Sequence, residues 1–196
     1  MQEKDSNTLF PVFFKMDSLQ TLIVGGGAVG LEKLSAVLQN SPDASVVLVG
    51  TTIRQEIRSL AENAPNVILA EKPFSDCDLY GKDLVIIATD DAEENARIRD
   101  MAKARKILVN VADTPALCDF YLSSVVRKGN LKIAISTNGK SPTVAKRIKE
   151  ILLEVIPDEM ENVLSNLTKI RGHLKGNFAE KVKQLDKITS VLVDKI

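Results

Sequence analysis

A chain of 196 residues has room for one full hydrophobic core, or for a domain of ~100–150 residues with a smaller appendage. Its 26 Lys and Arg balance its 26 Asp and Glu, and it has six Phe, two Tyr and no Trp, so neither a basic nucleic-acid footprint nor a base-stacking platform is expected. The sequence contains no run of ~18 apolar residues, so no membrane span is predicted. The polar start MQEKDSNTLF lacks the apolar region of a signal peptide, so none is expected. Cys77 and Cys118 fit no metal-binding spacing, which favours reduced thiols, no resident metal and a cytoplasmic location.

The first part of the chain alternates short β-type runs with amphipathic helical runs. The predicted strands cover residues 21–24, 46–49, 67–69, 83–88 and 107–111. Helical spacing of apolar residues predicts helices over residues 31–40, 53–61 and 92–104. This alternation over residues ~10–113 predicts an α/β fold, with a parallel sheet and right-handed crossovers.

The rhythm changes near Thr114-Pro115, where a second module is predicted to begin. Two β-type runs surround Lys128-Gly129-Asn130 and predict a hairpin, which does not continue the βαβ winding. From Ser141 the chain is predicted to be helical to its end, with Ser141 as the N-cap and Pro142 at the first helical position.

Helix-breaking residues divide the C-terminal region further. Pro157 and the stretch 172–176, which starts and ends with glycine, predict about three helices. The predicted division of the chain is therefore 1–113, 114–150 and 151–196.

The stretch GGGAVG, residues 25–30, fits the dinucleotide-binding spacing G-x-G-x-x-G, with Gly25, Gly27 and Gly30 in register. Gly25 permits the tight turn out of the strand, Gly27 lets a pyrophosphate approach the backbone, and Gly30 lets the helix pack close to the sheet. The helix that follows offers free N–H groups and a partial positive charge to the phosphates. The position between a strand and a helix favours nucleotide binding over a glycine-rich turn without a ligand.

The end of the second strand leaves the choice between NAD and NADP open. An acidic residue usually stands there to hold the ribose hydroxyls, but this chain has Gly50-Thr51-Thr52. Thr51 and Thr52 can hydrogen-bond a ribose, whereas Arg54 can face a 2′-phosphate.

The fourth and fifth strands end in residues that are expected to line the same crevice. Ala88 and Thr89 follow the fourth strand and are candidates for cofactor contacts, while Asp90 and Asp91 can serve as helix N-caps. Asp113 follows the fifth strand, where a carboxylate can accept a proton while a hydride leaves for a nicotinamide. A plain turn aspartate before Thr114-Pro115 remains the alternative for that residue.

Five stretches resemble the precorrin-2 dehydrogenase family, the NAD-dependent module of sirohaem synthase. They are LFPVFFKM (9–16), LIVGGGAVGLEKL (22–34), IIATDDAEEN (86–95), NVADTPALCDF (110–120) and ISTNGKSPTVAKRIKE (135–150). They occur in the order of the family and cover about three quarters of the chain. The family also lacks a reliable acid after the second strand, so the resemblance favours NAD.

The resemblance implies a Rossmann-type domain over 1–113, a hairpin dimerisation module over 114–150 and a helical domain over 151–196, in an intertwined homodimer. It implies that Asp113, in the motif N-V-x-D, is the proton acceptor or a metal-handling carboxylate. The implied NAD contacts are Gly25, Gly26, Gly27, Ala28, Val29, Gly30, Thr51 and Thr52. The implied contacts to the tetrapyrrole are Asn110, Ser136, Thr137, Gly139, Lys140 and Ser141. Several members have Ser or Gly where this chain has Thr137 and Asn138.

The sequence therefore predicts an NAD-dependent dehydrogenase that oxidises precorrin-2 to sirohydrochlorin. Some family members also insert ferrous iron as a second substrate, and the sequence leaves that activity open. Two other functions fit parts of the pattern: an NAD-binding regulatory or redox-sensing module without catalysis, and a dedicated tetrapyrrole metal chelatase. The lone His173 is more typical of a surface or capping residue than of a metal site.

Overall fold

The computed structural model describes residues 7–174 and 177–189. Residues 1–6 of the polar start, residues 175 and 176 of the predicted break between helices, and residues 190–196 of the predicted helical end lie outside the described residues. The chain forms two compact units, Met1–Ser123 and Ser124–Ile196. Within the described ranges, no helix is long and apolar enough to cross a membrane.

The first unit is a five-stranded parallel sheet in the order β3-β2-β1-β4-β5, with helices in the crossovers. Its strands are β1 (Gln20–Val24), β2 (Ser45–Gly50), β3 (Val67–Glu71), β4 (Leu84–Ile87) and β5 (Leu108–Val111). Its α-helices are α1 (Ala28–Asn40), α2 (Gln55–Glu62) and α3 (Ala92–Ala104). The predicted Rossmann-type architecture is confirmed.

Side chains on both faces of the sheet are buried, because helices cover both faces. Leu22 and Val24 of β1 pack in one cluster with Ile98 of α3, whereas Ile23 packs on the other side with Leu34 of α1 and Ile57 of α2. Neighbouring residues of a strand face opposite ways, so β1, β2 and β4 each contribute to both clusters, whereas β5 contributes Val109 and Val111 to the first. All four residues of β4 are buried, which explains the continuous apolar run in the sequence.

Local boundaries differ from the predicted ones in a few places. α2 begins at Gln55 rather than at Ile53, because Arg54 is the extended N-cap residue. β3 continues to Glu71, two residues beyond its predicted end. Three short 3-10 helices, at Met16–Ser18, Asp76–Leu79 and Pro115–Leu117, were not predicted, since three or four residues carry no periodic signal.

The second unit contains the predicted hairpin, β6 (Ser124–Lys128) and β7 (Leu131–Ile135), which pair antiparallel. Three helices follow: α4 (Pro142–Val155), α5 (Met160–His173) and α6 (Phe178–Thr189). The Ser141 hydroxyl accepts a hydrogen bond from the Val144 amide at 3.2 Å, and Pro142 occupies the first turn. These features confirm the predicted start of α4.

The segment between β5 and β6 groups with the first unit. Leu117 and Cys118 pack against the cluster around Val24, and Phe120 packs against the cluster around Ile23. The division into 1–113, 114–150 and 151–196 stays a prediction.

Candidate nucleotide-binding site

The turn after β1 requires glycine at its first position. Gly25 has a φ of +121°, and a Cβ built on it would overlap the carbonyl oxygen of Ala88. The Gly25 amide donates to the carbonyl of Val49 at 2.8 Å, and the Ala88 amide donates to the carbonyl of Val24 at 2.7 Å. The turn is therefore fixed against both neighbours of β1 in the sheet, β2 through the carbonyl of Val49 and the end of β4 through Ala88.

Gly26 and Gly30 lie equally close to backbone atoms. A Cβ on Gly26 would overlap the carbonyl oxygen of Thr52, and a Cβ on Gly30 would overlap that of Gly25. Gly27 differs, because a Cβ there would meet no atom within 4 Å. Gly25, Gly26 and Gly30 are therefore needed because backbone atoms lie against them, whereas Gly27 borders open space.

The N-terminus of α1 has the electrostatic character of an anion site. Its N-cap is Gly27, which offers no side-chain hydrogen bond, and the first turn contains no acidic residue. Ala28 and Val29 begin the helix, so their N–H groups are among those left without an intrahelical partner. The open space at Gly27 and the partial positive charge of the helix fit the pyrophosphate of a dinucleotide.

The loop after β2 lies beside this turn. The Arg54 amide donates to the carbonyl of Gly26 at 3.1 Å, and Thr51 and Thr52 are exposed. The Arg54 guanidinium binds Glu56, with Nη2 2.5 Å from Oε1. That hydrogen bond raises the pKa of Arg54 and lowers the pKa of Glu56.

The loop after β4 is organised by a buried asparagine, Asn95, which is absent from the predicted site residues. Asn95 is 8% exposed; its Oδ1 accepts from the Thr89 hydroxyl at 2.5 Å and its Nδ2 donates to the Thr89 carbonyl at 3.1 Å. Asp91 is the N-cap of α3, one of the two aspartates for which a capping role is predicted. A polar residue on the inner face of α3, one turn after its cap, was the signal available for Asn95.

Asp113 lies at the carboxyl edge of the sheet, two residues after β5. It is exposed and has a φ of +55°, a left-handed conformation that aspartate and asparagine tolerate better than most residues. The preceding Ala112 amide donates to the carbonyl of Ile87 at 2.9 Å, which anchors the loop to β4. The structure thus places Asp113 on the same edge as the glycine turn.

Cys118 fixes the far side of the Asp113 loop, a role that sequence spacing did not reveal. Its Sγ accepts from the Val111 amide at 3.2 Å and donates to the carbonyls of Val111 and Thr114, at 3.2 and 3.4 Å. Burial raises the pKa of this thiol, which is therefore protonated and able to donate. Cys77 and Cys118 are both free thiols.

Asn110, a predicted substrate contact, is 6% exposed. Its Nδ2 donates to the carbonyl of Phe120 at 2.8 Å, so the side chain ties β5 to the following segment. The structure gives it a packing role, and the substrate contact stays a prediction.

The remaining predicted substrate residues form one tight loop in the second unit. The Thr137 hydroxyl donates to the Ser141 carbonyl at 3.1 Å and accepts from the Ser141 amide at 3.2 Å. The Lys140 amide donates to the Thr137 carbonyl at 3.0 Å, and the Ser136 hydroxyl accepts from the Asn138 amide at 3.2 Å. Gly139 follows Asn138 with a φ of +75°.

Within the residues that the structure describes, no group of three His, Cys, Asp or Glu side chains is placed to hold a metal ion. His173 is exposed at the end of α5, where its Nδ1 lies 2.7 Å from the carbonyl oxygen of Lys169.

Two family patterns match successive parts of the chain. A family described as "Putative NAD(P)-binding" matches residues 12–124, and one described as "Sirohaem biosynthesis protein central" matches residues 128–154. Siroheme synthase of Psychrobacter cryohalolentis is 34% identical over 176 residues, which cover 90% of this chain and 32% of that protein. Siroheme synthase of Pseudoalteromonas translucida is 37% identical over 174 residues, covering 89% and 34%. The chain spans about a third of the length of these relatives.

A solved structure named "SirC, precorrin-2 dehydrogenase" has the same fold. It superposes with a TM-score of 0.71 and 24% identity, covering 92% of this chain and 89% of that one. These matches confirm the resemblance seen in the sequence. Because the NAD(P)-binding pattern spans more than half of the residues, the chain belongs to that NAD(P)-binding family.

Proposed function

We propose that this chain is an NAD-dependent dehydrogenase that oxidises precorrin-2 to sirohydrochlorin. The observation that carries the proposal is the common edge of the sheet at which the glycine turn and Asp113 lie. β4 alone separates β1 from β5, so the two loops are on the order of 10 Å apart, from a strand spacing of about 4.8 Å. The similarity of the chain to siroheme synthases supports the choice of substrate.

The open N-terminus of α1, with the Ala28 and Val29 amides, is proposed to hold the pyrophosphate of NAD, while Thr51 and Thr52 hydrogen-bond the ribose. Ala88 and Thr89 are proposed to border the nicotinamide side. Bound NAD supplies the acceptor for a hydride.

The oxidation removes two hydrogens from the tetrapyrrole, one as a hydride and the other as a proton. The carboxylate of Asp113 is proposed to accept that proton, for which an exposed side chain on a fixed loop is suited. Lys140 and the hydroxyls of Ser136, Thr137 and Ser141, with Asn110 and the Gly139 turn, are the proposed contacts for the substrate's carboxylates.

The decisive experiment is anaerobic turnover of precorrin-2 with NAD, followed by NADH and sirohydrochlorin absorbance. Asp113→Asn is the sharper variant, because asparagine accepts a left-handed φ and keeps the size of the side chain. Loss of the general base should lower kcat by roughly 10²–10⁴-fold with NADH affinity retained. Asp113→Gly, which relieves the backbone and also lacks the carboxylate, should be equally slow.

The outcomes separate the competing functions. NAD binding without turnover by the wild type would favour the regulatory module and contradict the dehydrogenase. Metal insertion into sirohydrochlorin without any NADH formation would favour the dedicated chelatase. An Asp113→Asn variant as fast as the wild type would remove Asp113 from the mechanism and leave the dehydrogenase standing.

We also propose that the chain acts as a homodimer and takes ferrous iron as a further substrate. α4 packs beside the two-stranded hairpin and exposes an apolar stripe at helical spacing, Val144, Ile148, Ile151 and Val155. A two-stranded sheet is marginal alone, and an apolar stripe of this kind is typical of an interface. Sedimentation tests the dimer, and adding ferrous ion to sirohydrochlorin tests the chelatase activity. A monomer, or no insertion, would contradict the respective proposal.

A further inference from the structure

A carboxylate reaches the loop after β2 from the neighbouring strand. Glu71 is the last residue of β3 and pairs in register with Gly50, the last residue of β2. Its Oε1 accepts a hydrogen bond from the Ile53 amide at 3.0 Å. Its Oε2 accepts from Arg58 Nη2 at 2.7 Å. The acidic residue that is missing at the end of β2 is therefore supplied by the neighbouring strand β3. The Glu71 carboxylate contacts the loop at Ile53, the residue that follows Thr51 and Thr52.

The two arginines beside this loop are both engaged by glutamates. Arg58 on α2 binds Glu71, and Arg54 binds Glu56. Arginine at this position in a Rossmann fold is what accommodates the 2′-phosphate of NADP. Here each guanidinium already has a carboxylate partner, so the four charges cancel.

The Glu71–Arg58 pair is partly exposed beside the loop that contains Thr51 and Thr52. Their side chains are 46% and 38% exposed, so neither is sealed inside the unit. The hydrogen bond from Arg58 holds the pKa of Glu71 below its ordinary value, and the carboxylate is charged at neutral pH. A 2′-phosphate at this loop would meet a fixed negative charge and an arginine that is already occupied.

We infer that Glu71 is the residue that makes this site selective for NAD over NADP, by occupying Arg58 and by repelling a 2′-phosphate. The inference rests on the proposed function in taking NAD as the cofactor. Selectivity of this kind comes from a repulsive element as much as from an attractive one.

The test is equilibrium binding of NADH and NADPH, followed by nucleotide fluorescence, with no tetrapyrrole present. Glu71→Gln keeps an amide oxygen for the Ile53 N–H, removes the charge and releases Arg58. We expect NADPH to bind at least about tenfold more tightly to this variant than to the wild type, with a change of no more than about threefold for NADH. Glu62→Gln, which removes one negative charge at the end of the same helix, should leave both affinities as they are.

Substitution of Arg58 gives an independent test, in which NADPH affinity should fall and not rise. Arg58→Ala leaves Glu71 charged and uncompensated, so NADPH should bind several-fold more weakly than to the wild type. In the double variant Glu71→Gln/Arg58→Ala, the gain in NADPH affinity should shrink, because Arg58 no longer binds the 2′-phosphate and only the relief of repulsion remains. Urea unfolding of each variant checks that the fold is retained.

The results distinguish this inference from the proposed function. If the wild type binds NADH and folded Glu71→Gln keeps the wild-type ratio of affinities, the selectivity inference is wrong and the dehydrogenase is untouched. A gain in NADPH affinity that is undiminished in the double variant, or a wild type that prefers NADPH, would also overturn it. If the wild type binds neither dinucleotide, the proposed function fails and the inference fails with it.

Discussion

Two helices of the same length follow adjacent parallel strands, α1 after β1 and α3 after β4, and their N-termini are built in opposite ways. α3 is capped by Asp91, whose Oδ1 accepts from the amides of Glu93 and Glu94, both at 3.0 Å. α1 is capped by Gly27, without a side-chain hydrogen bond and without an acid in its first turn. The first N–H groups of each helix have no partner within the helix. In α3 the Asp91 side chain accepts from two of them, whereas no capping side chain does so in α1.

The difference teaches where an external anion is accommodated. At α3 the partial positive charge of the helix already faces three carboxylates, those of Asp91, Glu93 and Glu94. At α1 the same charge faces open space above Gly27. The same dipole therefore stabilises the protein in one case and is available to a ligand in the other.

The largest effect on the free energy of unfolding should come from substitution at Gly25, which packs against backbone, compared with Gly27, which faces open space. Gly25→Ala forces a side chain into a φ of +121° and against the Ala88 carbonyl, which should cost about 2–5 kcal/mol of unfolding free energy. Gly27→Ala meets nothing in the protein, so it should cost under about 1 kcal/mol. Urea unfolding measures both.

Gly27→Ala, which should hardly affect stability, should instead weaken nucleotide binding. Gly27→Ala places a methyl group in the space proposed for the pyrophosphate, so NADH affinity should fall about tenfold or more while the fold persists. A Gly27→Ala variant that binds NADH like the wild type would contradict the assignment of that space.

Making α1 resemble α3 sharpens the comparison. Ala28→Glu puts a carboxylate into the first turn of α1, where it should stabilise the helix by about 0.3–1 kcal/mol. The same charge should repel a pyrophosphate and weaken NADH binding about tenfold. Ala28→Gln is the matched control, similar in size and uncharged. Equal affinities for the two variants would mean that charge at this end of the helix plays no part in binding.

Removing the cap of α3 tests the other half of the comparison. Asp91→Ala leaves the Glu93 and Glu94 amides without their acceptor and should cost about 1 kcal/mol of unfolding free energy. Asp91→Asn retains an acceptor oxygen and should cost much less. Chemical denaturation of both variants is the measurement, and an equal loss would show that the charge of Asp91, rather than its hydrogen bonds, supports α3.

The sequence predicted the elements that depend on nearby residues. The strand, turn and helix around Gly25, the cap at Asp91 and the hairpin at Gly129 all rest on spacings of a few residues, and all are present. The residues that organise the candidate site over longer distances were not predicted. Glu71 binds an amide 18 positions away in the sequence, and Cys118 binds Val111 across a loop.

Those longer contacts depend on which strands are neighbours and in what register. Glu71 reaches Ile53 because β3 pairs with β2, so that Glu71 lies opposite Gly50. A periodic pattern reveals that a strand exists and which face is buried, but not its neighbour in the sheet. Asn110 illustrates the same limit, because its buried bond to Phe120 depends on how the chain returns along β5.

The smallest expected effect is a pH dependence confined to α3. The hydrogen bond from Arg97 lowers the pKa of Glu94 below its ordinary value of 4.5. A carboxyl whose pKa is lower in the folded state stabilises the protein above the unfolded-state pKa, and this contribution is lost as the pH falls through the folded-state pKa. The free energy of unfolding of wild type minus that of Glu94→Gln should therefore be positive at about pH 6 and shrink below about pH 4.5. Arg97→Gln should reduce the same difference, since it removes the donor; a difference that stayed constant down to about pH 3 would mean that the charge of Glu94 contributes nothing to α3.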